Sequence, residues 1–154
     1  GAHPIAAVEA MVRIAREAEL LPHGHSRFEA DISSFAAGAA GAAVSAAERL
    51  QAKAIVALAG SGLTALLLSK WRSSLPILAL SADRPTLRRF NVLRGVIPVA
   101  IAERTDMEDQ IYVTDKQLLG GGWARPGDAV VMVAAAPLGA GKETNTLRFH
   151  RVRS

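Results

Sequence analysis

The sequence predicts an α/β fold, a three-layer αβα sandwich built around a five-stranded mixed sheet. Short apolar segments rich in Ile, Val and Ala alternate with segments of helical periodicity, which is typical of parallel strands joined by helices. The connection before the last apolar segment is too short for a crossover helix. We therefore expect four parallel strands and a C-terminal antiparallel edge strand. A chain of 154 residues, 50% of them hydrophobic, suits a single domain over 1–154.

Two helices are predicted at the start of the chain. From Pro4 to Leu21, apolar residues recur every three or four positions opposite charged ones, which predicts an amphipathic helix with Pro4 in its first turn. A second helix is expected from about Asp31, a potential N-cap, to about Leu50. It is so rich in Ala and Gly that it should pack closely against the sheet or a partner subunit.

Strands and helices alternate over the rest of the chain. Four strands are predicted, at 54–58, 76–80, 96–100 and 129–136, and we expect the fourth to be the most buried. The helices between them are predicted at 61–71, at 84–90 behind the cap Asp83, and from the acidic residues near 106 to about 119.

The last predicted strand has a different pattern from the other four. Over residues 146–152, Leu147 and Phe149 alternate with Arg148 and His150. Such alternation is typical of a half-exposed strand at the edge of a sheet.

The sequence IVALAGSGLT, residues 55–64, is the strongest candidate for a ligand site. It is typical of a buried strand that passes through a Gly-Ser-Gly turn into a helix. The first amides of a helix have no carbonyl partner within it and lie at the positive end of its dipole, so they can bind a phosphate. Gly60 and Gly62 allow close approach to the main chain, and Ser61 and Thr64 offer hydroxyl donors. The alternative is ordinary turn chemistry, with Ser61 as the helix N-cap.

Composition excludes several classes of function. The absence of cysteine rules out disulfides, thiolate metal sites and cysteine nucleophiles, and favours an intracellular, cytoplasmic protein. The net charge of +4 comes from dispersed basic residues, and aromatic residues make up only 5%, so we expect small anionic ligands or a partner surface and no nucleic acid. The small-apolar run from Phe35 to Ala47 is too short to span a membrane, so no membrane partner is expected.

The first residues of the chain show no basic-then-apolar leader and no initiating Met. This start suggests a fragment or a processed product.

Two motifs resemble ligand sites but have the wrong spacing. The segment GAGKET, residues 139–144, resembles a nucleotide P-loop, but Glu143 separates Lys142 from Thr144, and a strand follows where a P-loop has a helix. A basic loop that closes over an anion and a plain glycine hairpin both remain open. His23 and His25 are two residues apart without a third ligand nearby, so no metal site is predicted.

The densest group of basic residues and His150 do not predict catalysis. The basic cluster should form a solvated face or the rim of an interface, and it comprises Arg84, Arg88, Arg89 and Arg94. Hydroxyl residues and His150 are present, but no nucleophile elbow or carboxylate pair accompanies them. We therefore predict no catalytic residues in this chain.

Three long segments resemble one family in the same order along the chain. Residues 1–19 resemble the helix that opens the C-terminal domain of pyruvate kinases. Residues 54–99 are similar to that domain's first strand, Ser-Gly turn, helix and second strand, together with its Arg-Gly-Val-x-Pro segment. Residues 123–152 are similar to its Gly-Asp-x-Val strand, glycine loop and Thr-Asn-Thr segment. The chain thus resembles the C-terminal α/β domain of pyruvate kinase over almost its whole length.

This resemblance implies a regulatory and oligomerisation domain. In the family, this domain holds the allosteric site and contributes to a dimer contact within a tetramer. The catalytic barrel binds Mg²⁺, K⁺, ADP and phosphoenolpyruvate and transfers phosphate to ADP in glycolysis. The resemblance therefore implies no cofactor in this domain, no catalysis by the chain alone, and two partners: the barrel, absent from this chain, and further copies of the chain.

The resemblance also places the effector site by position. The residues that fall on the effector's phosphate turn are Gly60, Ser61, Gly62, Leu63 and Thr64. Those that fall on the effector loop are Gly139, Ala140, Gly141, Lys142, Glu143 and Thr144. The sequence departs from the usual pattern at Ala59, where Thr is common, at Leu63, and at His3, where Tyr is usual. The implied effector is a sugar phosphate or a nucleotide monophosphate such as AMP, at least as much as fructose bisphosphate.

Two other functions stay open at this level. One is an independently encoded phosphometabolite-binding module of the same fold without catalytic activity. The other is a small stand-alone enzyme of the doubly wound class, which would show turnover on its own.

Overall fold

The computed structural model describes residues 1–20, 34–58, 60–138 and 143–154. The strands are β1 (Ala54–Leu58), β2 (Ile77–Ser81), β3 (Val96–Ala100), β4 (Ala129–Ala134) and β5 (Thr146–Arg151). The helices are α1 (Pro4–Leu20), α2 (Phe35–Arg49), α3 (Leu63–Lys70), α4 (Arg84–Phe90) and α5 (Met107–Gly120).

The five strands form one sheet in the order β3-β2-β1-β4-β5. The first three pairs are parallel, and β4 pairs with β5 in the antiparallel direction. At the centre of the sheet, Val56 lies opposite Leu78 on one side and Met132 on the other. The predicted α/β class, the five strands and the antiparallel edge strand are therefore confirmed.

Apolar residues on both faces of the sheet cause helices to pack on each side. Alternate residues of β1 face opposite ways: Ile55 packs in the cluster formed with α2, α3 and Phe90, whereas Val56 packs with α5 through Ile111 and Leu118. All five residues of β2 are buried, whereas Ala129 of β4 is only half-buried, so the expectation that β4 would be the most buried strand is wrong. The difference lies at the first residue of β4, because Ala129 pairs with the exposed Arg151 at the end of the edge strand β5, whereas the other five residues of β4 are buried.

Side-chain caps fix the start of three helices. The Ser34 hydroxyl accepts from the Ala37 amide at 3.2 Å, and Asp83 and Asp106 accept from the amides three residues ahead. The predicted cap at Asp83 is thus confirmed, and the acidic residues near 106 lie at the start of α5 as expected, with Asp106 as its N-cap. Helix α2 begins at Phe35 behind Ser34, and the expected cap Asp31 lies outside the described residues, as do His23 and His25.

Strand β5 is half-exposed as expected, but its most buried side chain is polar, and of its two apolar residues only Leu147 packs partly against the core. Phe149 is 60% exposed, whereas His150 is buried at 7%. The cause is a polar contact across the layers: His150 Nε2 lies 2.7 Å from Asp115 Oδ1 of α5, and both side chains are almost completely buried. Strand β5 therefore turns its imidazole inward to pair with α5.

Helix α1 stands apart from the sandwich. It contains no buried residue, and its apolar side chains Ile5, Val8, Met11, Val12, Ile14 and Leu20 are all exposed. An exposed ion pair between Glu19 and Arg94 at 4.0 Å links it to the sheet domain and contributes little to stability. In the described part of the chain, no helix combines the length and apolar character required to cross a bilayer.

Candidate functional site

A cleft of about 360 Å³ opens at the carboxyl edge of the parallel strands. Leu58, Leu80 and Ile101 line its base at the ends of β1, β2 and β3. Open α/β sheets usually bind ligands at this edge, because the strand-to-helix turns gather there. The polar lining residues are Gly60, Ser61, Thr64, Ser81, Asp83, Glu103, Arg104, Gln110 and Thr144.

The turn between β1 and α3 is open to the cleft. Gly60, Ser61 and Leu63 are exposed, whereas Thr64 is buried. Gly62 is the N-cap of α3 and provides no side-chain hydrogen bond, so the alternative of Ser61 as N-cap is wrong. Within the described residues, the hydrogen bond made by the amides of this turn is a long one, donated by the Leu63 amide to Ser61 Oγ at 3.5 Å. The first turn of α3 thus presents amides that an anion can bind.

Gly62 is required by both its conformation and its surroundings. Its φ of 86° lies in the left-handed region, which residues other than glycine rarely adopt. A Cβ atom at this position would lie 3.2 Å from Phe90 Cε1 and 3.4 Å from Thr86 Cγ2. The turn is therefore packed tightly against α4, which holds the amides of α3 in a fixed direction.

Two threonine hydroxyls join this turn to the chain segment before β5. Thr64 Oγ1 is hydrogen-bonded to Thr144 Oγ1, and both residues are buried. Of the predicted effector loop, Glu143 is exposed and Thr144 lines the cleft, whereas Gly139, Ala140, Gly141 and Lys142 lie outside the described residues.

A second wall of the cleft is formed by the turn between β2 and α4. Ser81 Oγ accepts from the Asp83 amide at 3.1 Å, and Asp83 Oδ2 accepts from the Thr86 amide at 2.8 Å. These hydrogen bonds from Thr86, with a smaller contribution from the positive charge of Arg89, lower the pKa of the Asp83 carboxyl. Asp83 therefore remains an anion and accepts hydrogen bonds at the cleft.

The third wall contains residues that the sequence analysis did not identify. Glu103 and Arg104 follow β3 and are exposed, and Gln110 of α5 is 3% exposed. The Gln110 side-chain nitrogen is buried and has no hydrogen-bond partner among the residues that the structure describes. The sequence did contain a signal for Glu103 and Arg104, because residues that directly follow a parallel strand lie at the edge of the sheet where ligands bind. Gln110 had no such signal, since a glutamine within a helix is usually solvated.

The basic cluster predicted from the sequence lies away from the cleft. Arg84, Arg88, Arg89 and Arg94 are all exposed and are not among its described lining residues. His150 also lies outside the cleft, paired with Asp115. Among the described residues, no hydroxyl is bonded to the imidazole, and no three His, Asp or Glu side chains are grouped as a metal site would need.

Comparison with known proteins identifies the family of this chain. The model of the pyruvate kinase alpha/beta domain matches residues 38–150, which is well over half of the chain. The chain belongs to this family. The resemblance based on sequence motifs is thereby confirmed, and the matched region contains β1 to β4, β5 except its last residue, and all the described lining residues of the cleft.

The relatives are pyruvate kinases from distant organisms. The chain is 33% identical to the pyruvate kinase of Lactococcus lactis and 34% identical to that of Thermotoga maritima, in each case over 99% of this chain. It is 33% identical to the pyruvate kinase of Mycobacterium tuberculosis, also over 99% of this chain. The chain spans about a third of the length of these relatives, 31% to 32%. It therefore corresponds to the α/β domain of a pyruvate kinase.

Proposed function

We propose that this chain is the regulatory and oligomerisation domain of a pyruvate kinase and binds a phosphorylated effector at the turn between β1 and α3. The open first turn of α3 carries this proposal. Its N-cap Gly62 provides no side-chain partner, and Ser61 is exposed beside it. Transfer of phosphate from phosphoenolpyruvate to ADP would then belong to a catalytic barrel outside this chain.

Charge and size support a phosphate at this turn. The positive end of the α3 dipole and the amides of its first turn attract an anion, and the exposed hydroxyl of Ser61 can donate to its oxygens. The cleft of about 360 Å³ is within the usual range for small-molecule sites. It is large enough for a sugar phosphate and lies between the ends of β1, β2 and β3.

The exposed apolar face of α1 supports the oligomerisation role. Ile5, Met11 and Ile14 are 75%, 60% and 69% exposed, and they share this helix with three further exposed apolar side chains. Contiguous apolar surface of this kind usually marks a protein interface. We propose that a second copy of the chain covers this face and that the assembly is a homo-oligomer.

A thermal titration tests the effector site. The melting temperature of the 154-residue chain is measured with increasing sugar monophosphate, AMP and fructose bisphosphate. At a ligand concentration of 100 times Kd, binding stabilises the fold by about 2.7 kcal/mol, or about 5–10 °C for a domain of this size. Ser61→Asp places a negative charge in the turn and should abolish that rise.

Ser74→Asp is the matched control for this titration. It adds the same charge in an exposed loop just before β2, at the opposite edge of the sheet. The control should keep the full ligand-induced rise. An equal rise in wild type and Ser61→Asp would place the ligand elsewhere and refute the proposed site.

The regulatory and oligomeric parts have their own tests. When the domain is joined to a catalytic barrel, an effector should change the kinetics of the enzyme, because binding biases the arrangement of the subunits. Identical kinetics with every sugar phosphate and nucleotide tried would leave only a structural role.

For the interface, light scattering should show a dimer or larger species that Met11→Glu dissociates, and a monomer at all concentrations would contradict the proposal.

A further inference from the structure

We propose a second ligand site in this chain, for a small aliphatic carboxylate. It lies in a cavity of about 390 Å³ between the start of α5, the ends of β1 and β4, and the start of β5, which we name the apolar cavity. Of its described lining residues, only Leu58 and Leu138 also line the cleft described above. The apolar cavity is therefore a separate site, and the proposal does not depend on a phosphate at the turn between β1 and α3.

The walls of the apolar cavity consist mostly of hydrocarbon side chains. They include Leu58, Met107, Met132, Ala134, Pro137 and Leu138. A ligand that places an aliphatic chain against these residues removes apolar surface from water, which is the main favourable contribution to binding such a chain. The thioether side chains of the two methionines are flexible and adapt to the shape of a ligand. The volume of the cavity is within the usual range for small-molecule sites.

Polar groups lie at one end of the cavity. Thr146 and Arg148 are two residues apart on β5, so they share a face of that strand, and both line the cavity. Across the sheet from β5 to β4 and then β1, the lining changes to Ala134 and Met132 and then to Leu58. Two strand spacings amount to about 10 Å, which accommodates an extended chain of about six carbon atoms. The ligand therefore has its polar head at β5 and its apolar tail towards β1.

The charge at this end determines the kind of head group. Arg148 is the one charged residue among the described lining residues. Its Nη2 donates to Glu108 Oε1 at 3.1 Å, and Glu108 Oε2 accepts from Arg153 Nη1 at 3.3 Å. Two positive charges thus face one negative charge, which gives the group a net charge of +1. One carboxylate on the ligand would balance that charge.

Arg148 can bind this carboxylate while it keeps its bond to Glu108. A guanidinium has five N–H donors in a planar fork, and that fork matches the geometry of a carboxylate. A neutral head group would leave the net charge unmatched, a phosphate dianion would exceed it, and an ammonium group would be repelled. A monoanionic carboxylate with an aliphatic tail therefore fits both the charge and the lining of the cavity.

Methyl NMR of the methionines locates the ligand. The sequence has three methionines: Met107 and Met132 line the apolar cavity, whereas Met11 is 60% exposed on α1 and serves as the internal control. Titration of the 154-residue chain with hexanoate should shift the methyl signals of Met107 and Met132 saturably and leave that of Met11 unchanged. Butanoate should bind about fifteen-fold more weakly, since each buried methylene contributes a factor of about four.

Two compounds with the same carbon chain test the head group. 1-Hexanol should bind about five-fold more weakly than hexanoate, the value expected for an ion pair with a partly exposed arginine, and hexylamine should bind more weakly still. Arg148→Gln should remove the preference for hexanoate over 1-hexanol by weakening hexanoate alone. Arg151→Gln is the matched control, because it removes the same charge from an exposed position on the same strand that does not line the cavity. It should leave both affinities unchanged.

Ala134→Leu tests the cavity itself. Ala134 is 4% exposed and lines the cavity, so a larger side chain would occupy the space that the ligand tail needs. Hexanoate and 1-hexanol should both bind about fifteen-fold more weakly if the leucine displaces two methylenes of the ligand. If this variant does not fold, Arg148→Gln decides the proposal, because its position is half-exposed and tolerates the change.

The outcomes that overturn the proposal are distinct from those for the phosphate site. Unchanged signals of Met107 and Met132, or shifts that Met11 shares without saturation, would overturn it. Shifts of Met107 and Met132 that follow protein concentration without hexanoate would show that a second copy covers the cavity, which also overturns it. If hexanoate binds but Arg148→Gln leaves its affinity unchanged, recognition of a carboxylate is overturned. Inorganic phosphate reports separately on Gly60 to Thr64, so either site can fail without the other.

Discussion

The contact between His150 and Asp115 should be a major contributor to the stability of the β5–α5 packing. The two side chains are only 4% and 5% exposed, and their nitrogen and oxygen are 2.7 Å apart. Replacing either residue with Ala leaves the other polar group buried without its partner. Such a loss costs about 1–3 kcal/mol for a neutral group and about 3–5 kcal/mol for a charged one. We take about 3 kcal/mol for His150→Ala.

Thermal and urea unfolding measure this effect. A loss of about 3 kcal/mol should lower the melting temperature by about 6–12 °C for a domain of this size. Phe149→Ala is the control, because this neighbouring side chain on the same strand is 60% exposed and its loss should cost little. Asp115→Asn, which keeps an acceptor oxygen, should cost less than Asp115→Ala.

A double-mutant cycle decides whether the contact itself is responsible. In the variant lacking both His150 and Asp115, the cost should be well below the sum of the two single costs, because neither partner is then left unpaired. Asp115 Oδ2 also accepts from the Arg153 amide at 3.3 Å, so Asp115→Ala should be the more damaging single change. Additive costs, or a His150→Ala effect no larger than that of Phe149→Ala, would refute this reasoning.

Three further predictions follow from other contacts. Gly62→Ala should destabilise the fold by roughly 1–2 kcal/mol in urea unfolding, because its φ of 86° and the ring of Phe90 both oppose a Cβ atom; an unchanged midpoint would contradict this. Hydrogen bonds from Arg148 and Arg153 lower the pKa of the Glu108 carboxyl in the folded state. The folded state therefore gains stability above about pH 4.3, the ordinary pKa of a glutamate, and loses it as the pH falls towards the lower pKa of the folded state. Glu108→Gln should flatten that part of the plot of melting temperature against pH. Asn145→Ala should increase amide exchange at Ala136, whose backbone it binds through two hydrogen bonds at 2.8 and 2.9 Å; unchanged protection would exclude that role.

The sequence was sufficient to predict the architecture because its signals are local and repeated. The segment 54–58 is apolar on both faces and could only be a buried strand, and Asp83 before Arg84 and Pro85 marks a helix start by capping alone. The short connection before β5 determined its antiparallel direction. These features depend on neighbouring residues and are readable without the tertiary structure.

The details that were missed depend on contacts between distant residues. The inward orientation of His150 follows from Asp115, which is 35 positions away, and no periodicity encodes that pairing. Gln110 lies in the cleft because α5 packs on the sheet through its neighbour Ile111 and through Leu118. For the turn at Gly62, the strand-to-helix pattern was visible in the sequence, but the N-cap weighed as the alternative to a phosphate site was Ser61, because side-chain caps are commoner than a left-handed glycine.

Backbone amide chemical shifts during titration with inorganic phosphate test the central claim most directly. If the first turn of α3 binds the phosphate, the largest saturable shifts should fall on Gly60, Ser61, Gly62 and Thr64, and they should vanish in Ser61→Asp. Saturable shifts centred on another part of the chain, or shifts at this turn that persist unchanged in Ser61→Asp, would contradict a phosphate site between β1 and α3.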